Sequence, residues 1–385
     1  MTVLLIGGTG ILSSAVTSQA KKAGIKVTMI NRGRRKLPTG VEVIVSDNKN
    51  YEYIGEKLAG RHFDAVIDFL CYKPYELEDS FNLYSKLTDQ YFYISSCAVY
   101  DTTIPGPYEE DSKKVRAEWP YSVEKWQSEE LLAKLAKNSP CKYTIIRPCL
   151  TYGDTRLPYG IVPEFRKHWT FVARVLAGKP ILRWNKGENR WNMMRVEDFA
   201  VGVVGLIGNS AAHGEAFNIC GDETPSNNDV LKAIALAVGK EPNILDVTPE
   251  FYAEQFPWIA GEIIGGRAAN LVCSNAKIKK AVPEFKQVIC LNEGVAKTIA
   301  AYRDESFQLG IDWVYDARTD RAVVCWNRQH KCGNAHSLGF VNYERLGGLA
   351  QFRQYWQIRL QGSRLGWCLS LPFRVVGRLK RIIRR

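Results

Sequence analysis

Residues 3–6, Val-Leu-Leu-Ile, form an unbroken apolar run of β-forming residues, the pattern of a strand buried on both faces. Gly7, Gly8 and Gly10 follow at once. From residue 11 to 22 apolar positions recur at Ile11, Leu12, Ala15 and Val16, which predicts a helix. Further short apolar runs predict strands over 26–30, 41–45, 64–69 and 91–94, and helical spacing returns over 121–137. The pattern beyond residue 155 is less regular. It predicts helices over 160–177, 196–207, 228–238, 248–256 and 292–307, and strands over 180–184 and 215–219. Gly239 supplies the stop for the helix before it.

A strand, a glycine-rich turn and a helix in that order form a phosphate cradle. Gly7-Gly8-Thr9-Gly10 lets the backbone turn tightly and approach a pyrophosphate, whose charge sits at the N-terminus of the helix that opens with Ile11-Leu12. The third glycine of the spacing is replaced by Ser13, a mild departure where a small residue is needed. The second strand runs into Asn31-Arg32, where an NAD site carries an acidic residue for the ribose 2′-hydroxyl. A guanidinium suits a 2′-phosphate, so Arg32 favours NADP(H) over NAD(H). Asp47, beside Asn48, is placed to meet the adenine amine. After Phe69, the segment Leu70-Cys71-Tyr72 is expected to pass over the cofactor phosphates and ribose, with Cys71 a small apolar residue.

The run 91–94 ends in Ser95-Ser96, and Tyr121-Ser-Val-Glu-Lys125 follows 25 residues after Ser96. Tyr121 and Lys125 are four apart, hence on one helix face. A phenol with an ordinary pKa near 10 is a weak base at neutral pH. A nearby ammonium favours the phenolate and can also hold a ribose. A serine donating to the substrate oxygen completes a set for acid–base chemistry coupled to hydride transfer. Ser96, Tyr121 and Lys125 are therefore the candidate catalytic residues. Ser95, Tyr121 and Lys125 also stand beside the cofactor.

On these residues, with Asp64-Ala-Val-Ile-Asp68-Phe69, Ser95-Ser96-Cys97-Ala98-Val99-Tyr100, Ile146-Arg147-Pro148, Tyr152-Gly153, Arg195-Val196-Glu197-Asp198 and Phe217-Asn218-Ile219, the chain resembles the extended short-chain dehydrogenase/reductase superfamily. It looks most like the atypical branch that holds nucleotide-sugar epimerases and dehydratases and the chloroplast stem-loop-binding-protein relatives. The resemblance covers roughly residues 1–300. It implies a doubly wound parallel-sheet Rossmann fold with a smaller C-terminal substrate lobe. The corresponding division is a Rossmann domain over 1–155, completed by parts of 190–220, a substrate lobe over 156–308, and a basic, aromatic-rich extension over 309–385. It implies a nucleotide-activated sugar as substrate, and polysaccharide or glycoconjugate synthesis is the expected setting. It puts Arg147-Pro148 beside the nicotinamide, Ser96 in the catalytic serine position, and Tyr152 near the substrate. Where epimerase relatives carry an arginine for the sugar diphosphate this chain has Trp191, flanked by Arg190 and Arg195, either of which could substitute. In dehydratase relatives Asp-Glu follows the catalytic Ser/Thr; here those positions are Cys97 and Ala98, which disfavours 4,6-dehydration and leaves epimerase or reductase. A homodimer is usual for the family. Arg156, Tyr159, Arg166, His168, Arg174, Arg183, Trp184 and Trp191 are candidates to line the substrate site, and most are expected to be surface or packing residues.

Charge adds one feature. Residues 321–385 hold 13 Lys or Arg and a single acid, Glu344, a net of +12, while the preceding 320 residues balance. From Tyr343 onward arginines interleave with Trp, Phe, Leu and Ile, and Gly362, Gly366 and Pro372 divide the stretch into short amphipathic segments. Residues 343–385 suit the surface of an anionic membrane, and also suit packing on the body. The same composition can bind nucleic acid, which makes a non-catalytic RNA-binding Rossmann protein the alternative function. An intact Ser96/Tyr121/Lys125 set argues against that, since binding alone does not need it. No 18-residue apolar stretch exists, and a strand starting near residue 3 leaves no room for a signal peptide, so a cytoplasmic protein, peripheral at the inner membrane face, is expected. Ten scattered cysteines are read as reduced and structural. Cys325, His330, Cys332 and His336 have ligand chemistry but an uncommon spacing, and no metal is assigned.

Overall fold

Alternation along the first strand sets the architecture. Val3 and Leu5 join one buried cluster, Leu4 and Ile6 the other, so a strand apolar on both faces has a layer of helices on each side. The computed structural model describes the chain except residues 115–118, 160–162, 164–166, 306–309, 332–337, 344–347 and 362–385. Its strands are β1 (Thr2–Ile6), β2 (Lys26–Asn31), β3 (Glu42–Val45), β4 (Phe63–Asp68), β5 (Thr88–Ile94), β6 (Lys142–Pro148), β7 (Leu150–Tyr152), β8 (Pro180–Trp184), β9 (Met193–Arg195), β10 (Glu215–Ile219) and β11 (Asn243–Val247). Its helices are α1 (Ile11–Lys22), α2 (Tyr51–Leu58), α3 (Pro74–Tyr84), α4 (Pro120–Ala136), α5 (Trp169–Leu176), α6 (Val196–Gly205), α7 (Asn227–Val238), α8 (Pro249–Gln255), the single turn α9 (Ala260–Glu262), α10 (Ala276–Ala281), α11 (Leu291–Glu305), α12 (Trp313–Gln329) and α13 (Leu349–Arg359).

The chain divides into two units, each assembled from three segments. The first takes Met1–Gly153, Asn189–Asn227 and Ile264–Gly294. Its main sheet has seven parallel strands in the order β10-β6-β5-β4-β1-β2-β3, and β7 and β9 form a separate parallel pair. Val16 and Ala20 of α1 and Phe199 and Val203 of α6 cover one face. Ile54 of α2, Leu77 and Phe81 of α3 and Leu132 of α4 cover the other. This is the doubly wound Rossmann arrangement. The strand order reverses between β1 and β4, so the crevice for a ligand lies beyond their carboxyl ends. Gly7 lies there against Phe69 and Leu70: a Cβ on it would come 3.4 Å from the Leu70 side chain.

The second unit takes Asp154–Glu188, Asn228–Ile263 and Val295–Arg385. β8 and β11 pair in parallel within it. Its centre is polar. Arg174 of α5 and Lys179 are buried with Asp316 and Asp320 of α12; Lys179 Nζ lies 2.9 and 2.8 Å from the two carboxylates, and Arg174 pairs with both. The Tyr343 hydroxyl donates to Asp316 at 2.8 Å, and that of Tyr355, in α13, donates to Asp320. The helix expected over 160–177 is described only as α5, since 160–162 and 164–166 lie outside the described residues. Of the basic extension, α13 is held to α12 through Tyr355, and the breakers Gly362, Gly366 and Pro372 lie outside the described residues. Among the described residues no helix is long and apolar enough to cross a membrane.

Candidate active site

The glycine turn is shaped for a bulky anion. Gly7 and Gly8 have φ of +115° and +87°, and a Cβ on Gly8 would lie 2.3 Å from the end of the buried Met29 side chain. Asn31 braces the turn with both amide hydrogens, donating to Gly7 O and Thr9 Oγ1 at 2.8 Å, and its Oδ1 accepts from Gly33 N. Arg35 donates to Thr9 O at 2.6 Å, a brace the sequence reading had not singled out. The Ser13 hydroxyl accepts from Gly10 N at 2.8 Å, which explains a tolerable third position: the side chain is buried and caps its own helix. The first-turn amides of α1, at Ile11 and Leu12, have no intrahelical partner, the property by which a helix N-terminus takes an anion. These residues fit a dinucleotide. Arg32 is exposed at the end of β2, with no carboxylate at Asn31 or in the 32–36 stretch. Asp47 is exposed, its Oδ1 accepting from Lys49 N, and Asn48 lies beside it, half-buried.

Gly8→Ala tests the cradle. Positive φ disfavours any Cβ, and the Met29 sulfur and methyl must move within a packed core. The expected result is a loss of about 2–4 kcal/mol in stability and at least a tenfold loss in dinucleotide affinity, read by thermal melts and by cofactor titration. Unchanged affinity would remove this turn from the site.

The second half of the site forms where α4 meets the ends of β4 and β5. Lys125 is buried, and its Nζ donates to Cys71 O at 2.6 Å and Ile94 O at 2.9 Å, between the rings of Tyr72 and Tyr93. Tyr121 lies one turn earlier, half-buried, its ring 5.0 Å from that of Trp119. Two residues past Ile94, Ser96 Oγ accepts from Ala98 N at 3.1 Å and caps the short turn Cys97–Val99. Ser95 points to α4 instead, donating to Glu129 Oε1 at 2.5 Å. Glu129 is four residues after Lys125, on the same face, and is fully enclosed. It pairs with Arg147, whose guanidinium also donates to the Tyr100 hydroxyl and Glu110 O at 2.8 Å. Arg147 thereby ties β6 to α4. Asp68, at the end of β4, is a further buried carboxylate; it accepts from Leu70 N, Cys71 Sγ and Ser80 Oγ. Burial pushes the Cys71 thiol up, consistent with an inert packing residue.

Burial pulls the Lys125 ammonium down to about 8, against the opposing pull of Cys71, Asp68 and Glu129. Between about pH 8 and 10.4 the unfolded chain holds a proton there that the folded chain has lost, so this group makes stability rise with pH across that window. Urea midpoints of the wild type and Lys125→Met should differ by a constant below pH 8. From pH 8 to 10 the wild type should gain relative to the variant. Parallel curves would mean Lys125 is not desolvated.

Of the residues expected near the substrate, Arg195 is buried, forks onto Glu197 at 2.6 and 3.0 Å, donates to Gly294 O, and stacks 5.9 Å over Tyr152. The Tyr152 hydroxyl is buried with no hydrogen-bond partner among the described residues, and burial raises it. Arg190 is exposed and donates to Thr224 O. Trp191 is buried under Arg267, its Nε1 donating to Ala269 O. In the second unit, Tyr159 and Trp184 belong to an aromatic core, Arg174 to the polar centre, and Arg183 pairs with Asp246. His168 accepts from Leu157 N, and burial pushes it down to about 3, so it stays neutral. Arg166 lies outside the described residues, as do Cys332 and His336; among the described residues His330 instead stacks on Trp326.

A profile of the NAD dependent epimerase/dehydratase family matches residues 3–220. The chloroplast stem-loop binding protein of 41 kDa b from Arabidopsis thaliana is 29% identical over 265 residues, covering 64% of this chain and 66% of that protein, just under two thirds of its length. The 2'-dehydrokanamycin reductase of Streptomyces kanamyceticus is 21% identical over 257 residues, covering 66% of this chain and 72% of the reductase. Among solved structures, the UDP-glucose 4-epimerase of Thermotoga maritima, determined with UDP-glucose, superposes with a TM-score of 0.64 at 18% identity, covering 79% of this chain and 99% of the epimerase. At that identity the likeness concerns the fold.

Proposed function

From the premise that the chain belongs to the NAD-dependent epimerase/dehydratase family, we propose that it is an epimerase acting on a nucleotide-activated sugar through Ser96, Tyr121 and Lys125. One observation carries the reading: Lys125 Nζ, on the helix face it shares with Tyr121, bonds to Ile94 O at 2.9 Å, two residues before Ser96. This supports a reading in which the three side chains act together at the carboxyl ends of the strands. When bound, the nicotinamide accepts and returns hydride. Tyr121 takes the proton of the sugar hydroxyl as the carbonyl forms and gives it back on return. The Lys125 charge one turn away lowers the cost of the phenolate, and Ser96 donates to the sugar oxygen. The two positions after Ser96 are Cys97, which is buried and donates to Arg147 O, and Ala98, neither of them a carboxyl that could expel water, in keeping with epimerisation over dehydration.

A second reading, a reductase using NADP(H), is favoured by exposed Arg32 at a β2 end with no carboxylate. The set Ser96/Tyr121/Lys125 favours either enzyme over an RNA-binding role, because binding needs no proton relay. The Arabidopsis relative is named for stem-loop binding, and that remains a statement about that protein. Purified protein is assayed for bound cofactor, NAD(H) against NADP(H), then incubated with UDP-, GDP-, CDP- and dTDP-sugars. The proposal expects retained cofactor, a new sugar isomer and no net change at 340 nm. Stoichiometric NADPH consumption would replace it with the reductase, and no cofactor binding would overturn both.

A further inference from the structure

Three cysteines far apart in the sequence converge in the first unit. Cys97 opens the turn after β5, Cys149 joins β6 to β7, and Cys273 lies in the segment that bridges Tyr108 and Trp191. Their three sulfur atoms lie within 4.8 Å of one another. Cys97 and Cys273 are buried, and Cys149 is half-buried. The backbone around them is held: Asn192 Oδ1 accepts from Cys273 N at 2.6 Å, and Asn192 O accepts from Leu150 N at 3.2 Å. Carbonyls surround the sulfurs, Arg147 O at 3.2 Å from Cys97 Sγ and Leu271 O at 3.7 Å from Cys149 Sγ.

From this juxtaposition we propose that Cys97, Cys149 and Cys273 form a binding site for a single thiophilic metal ion of the zinc(II) class. Around one ion with metal–sulfur bonds of about 2.3 Å, three ligand sulfurs stand about 4 Å apart, close to the spacing already present. Binding replaces thiol hydrogens by the metal and releases those protons to solvent, with no change of oxidation state. The partial exposure of Cys149 leaves an entry side, where water supplies a fourth ligand. Because Cys97 and the capping Ser96 share one turn, the ion would also pin the loop after β5.

The full chain, reduced and stripped with a chelator, is titrated with cadmium(II). The expected result is a thiolate-to-cadmium absorption band saturating at one ion per chain. Cys149→Ser should weaken binding at least tenfold, and Cys290→Ser, which alters an exposed thiol, should leave it unchanged. X-ray absorption of the wild type loaded with one equivalent of zinc(II) should show three sulfur neighbours at about 2.3 Å, a readout that does not depend on the variant folding. Fewer than three sulfurs, a band that survives in Cys149→Ser, or a disulfide among the three cysteines in the freshly isolated protein would overturn the site.

Discussion

Tyr121→Phe is expected to lower turnover by about 10²–10⁴-fold while leaving the fold and cofactor affinity intact. The substitution removes one hydroxyl and keeps the ring that packs 5.0 Å from Trp119. Lys125 keeps its two carbonyl partners, since neither involves Tyr121. The loss should appear in kcat and kcat/KM together, because the proton moves only as the reaction proceeds. Isomer formation from the panel of nucleotide sugars under the proposed function, with cofactor content measured on the same samples, makes the comparison. Activity within threefold of wild type would assign the acid–base role elsewhere.

Arg174→Leu should destabilise the second unit by about 3–5 kcal/mol. Two carboxylates, Asp316 and Asp320, would then share one cation, Lys179, at complete burial. For a unit of this size the thermal midpoint would fall by roughly 6–20 °C. A neighbouring pair supplies the scale. Arg183 and Asp246 are bidentate at 2.7 and 2.8 Å, yet half of the Asp246 side chain is exposed, so Arg183→Ala should cost below about 1 kcal/mol. Geometry alone would rank the two alike; desolvation separates them. Thermal melts of both variants decide it, and a shift under 2 °C for Arg174→Leu would show that water reaches the cluster.

Strands β1 to β5 of the first 150 residues are legible because parallel strands covered on both faces read as plain apolar runs, whereas of the helices there only α1 and α4 are read, α2 and α3 being missed. Tyr121 and Lys125 stand out as candidates through their four-residue spacing read together with the glycine turn and the Ser95-Ser96 strand end, and Ser96 through the family resemblance. Glu129 is hidden by the same spacing, since a glutamate on a charged helix reads as a solvated side chain until Arg147 and Ser95 are seen beside it. α12 goes unpredicted for a related reason. Its inward face carries Asp316, Thr319, Asp320 and Asn327, so burial of polar residues erases the apolar period that marks a helix. The thiol cluster joins positions 97, 149 and 273, and no short motif links them. Asn31 holds a site that an acidic residue takes in NAD-binding turns, and only the structure shows both its amide hydrogens on the turn itself.

The order in which the sheet is assembled bears on how the chain emerges from the ribosome. β6 pairs with β5 on one side and with β10 on the other, and roughly 70 residues of other structure separate β6 from β10. At about 5–20 residues per second, translation leaves the backbone of β6 an open edge for some 3–14 s. That edge carries Tyr143, Ile145 and Ile146, apolar enough to recruit a stranger's strand. Nascent chains stalled between residues 150 and 214 should therefore be the ones that engage chaperones, and shortening the translation time of that interval by codon choice should raise the soluble yield.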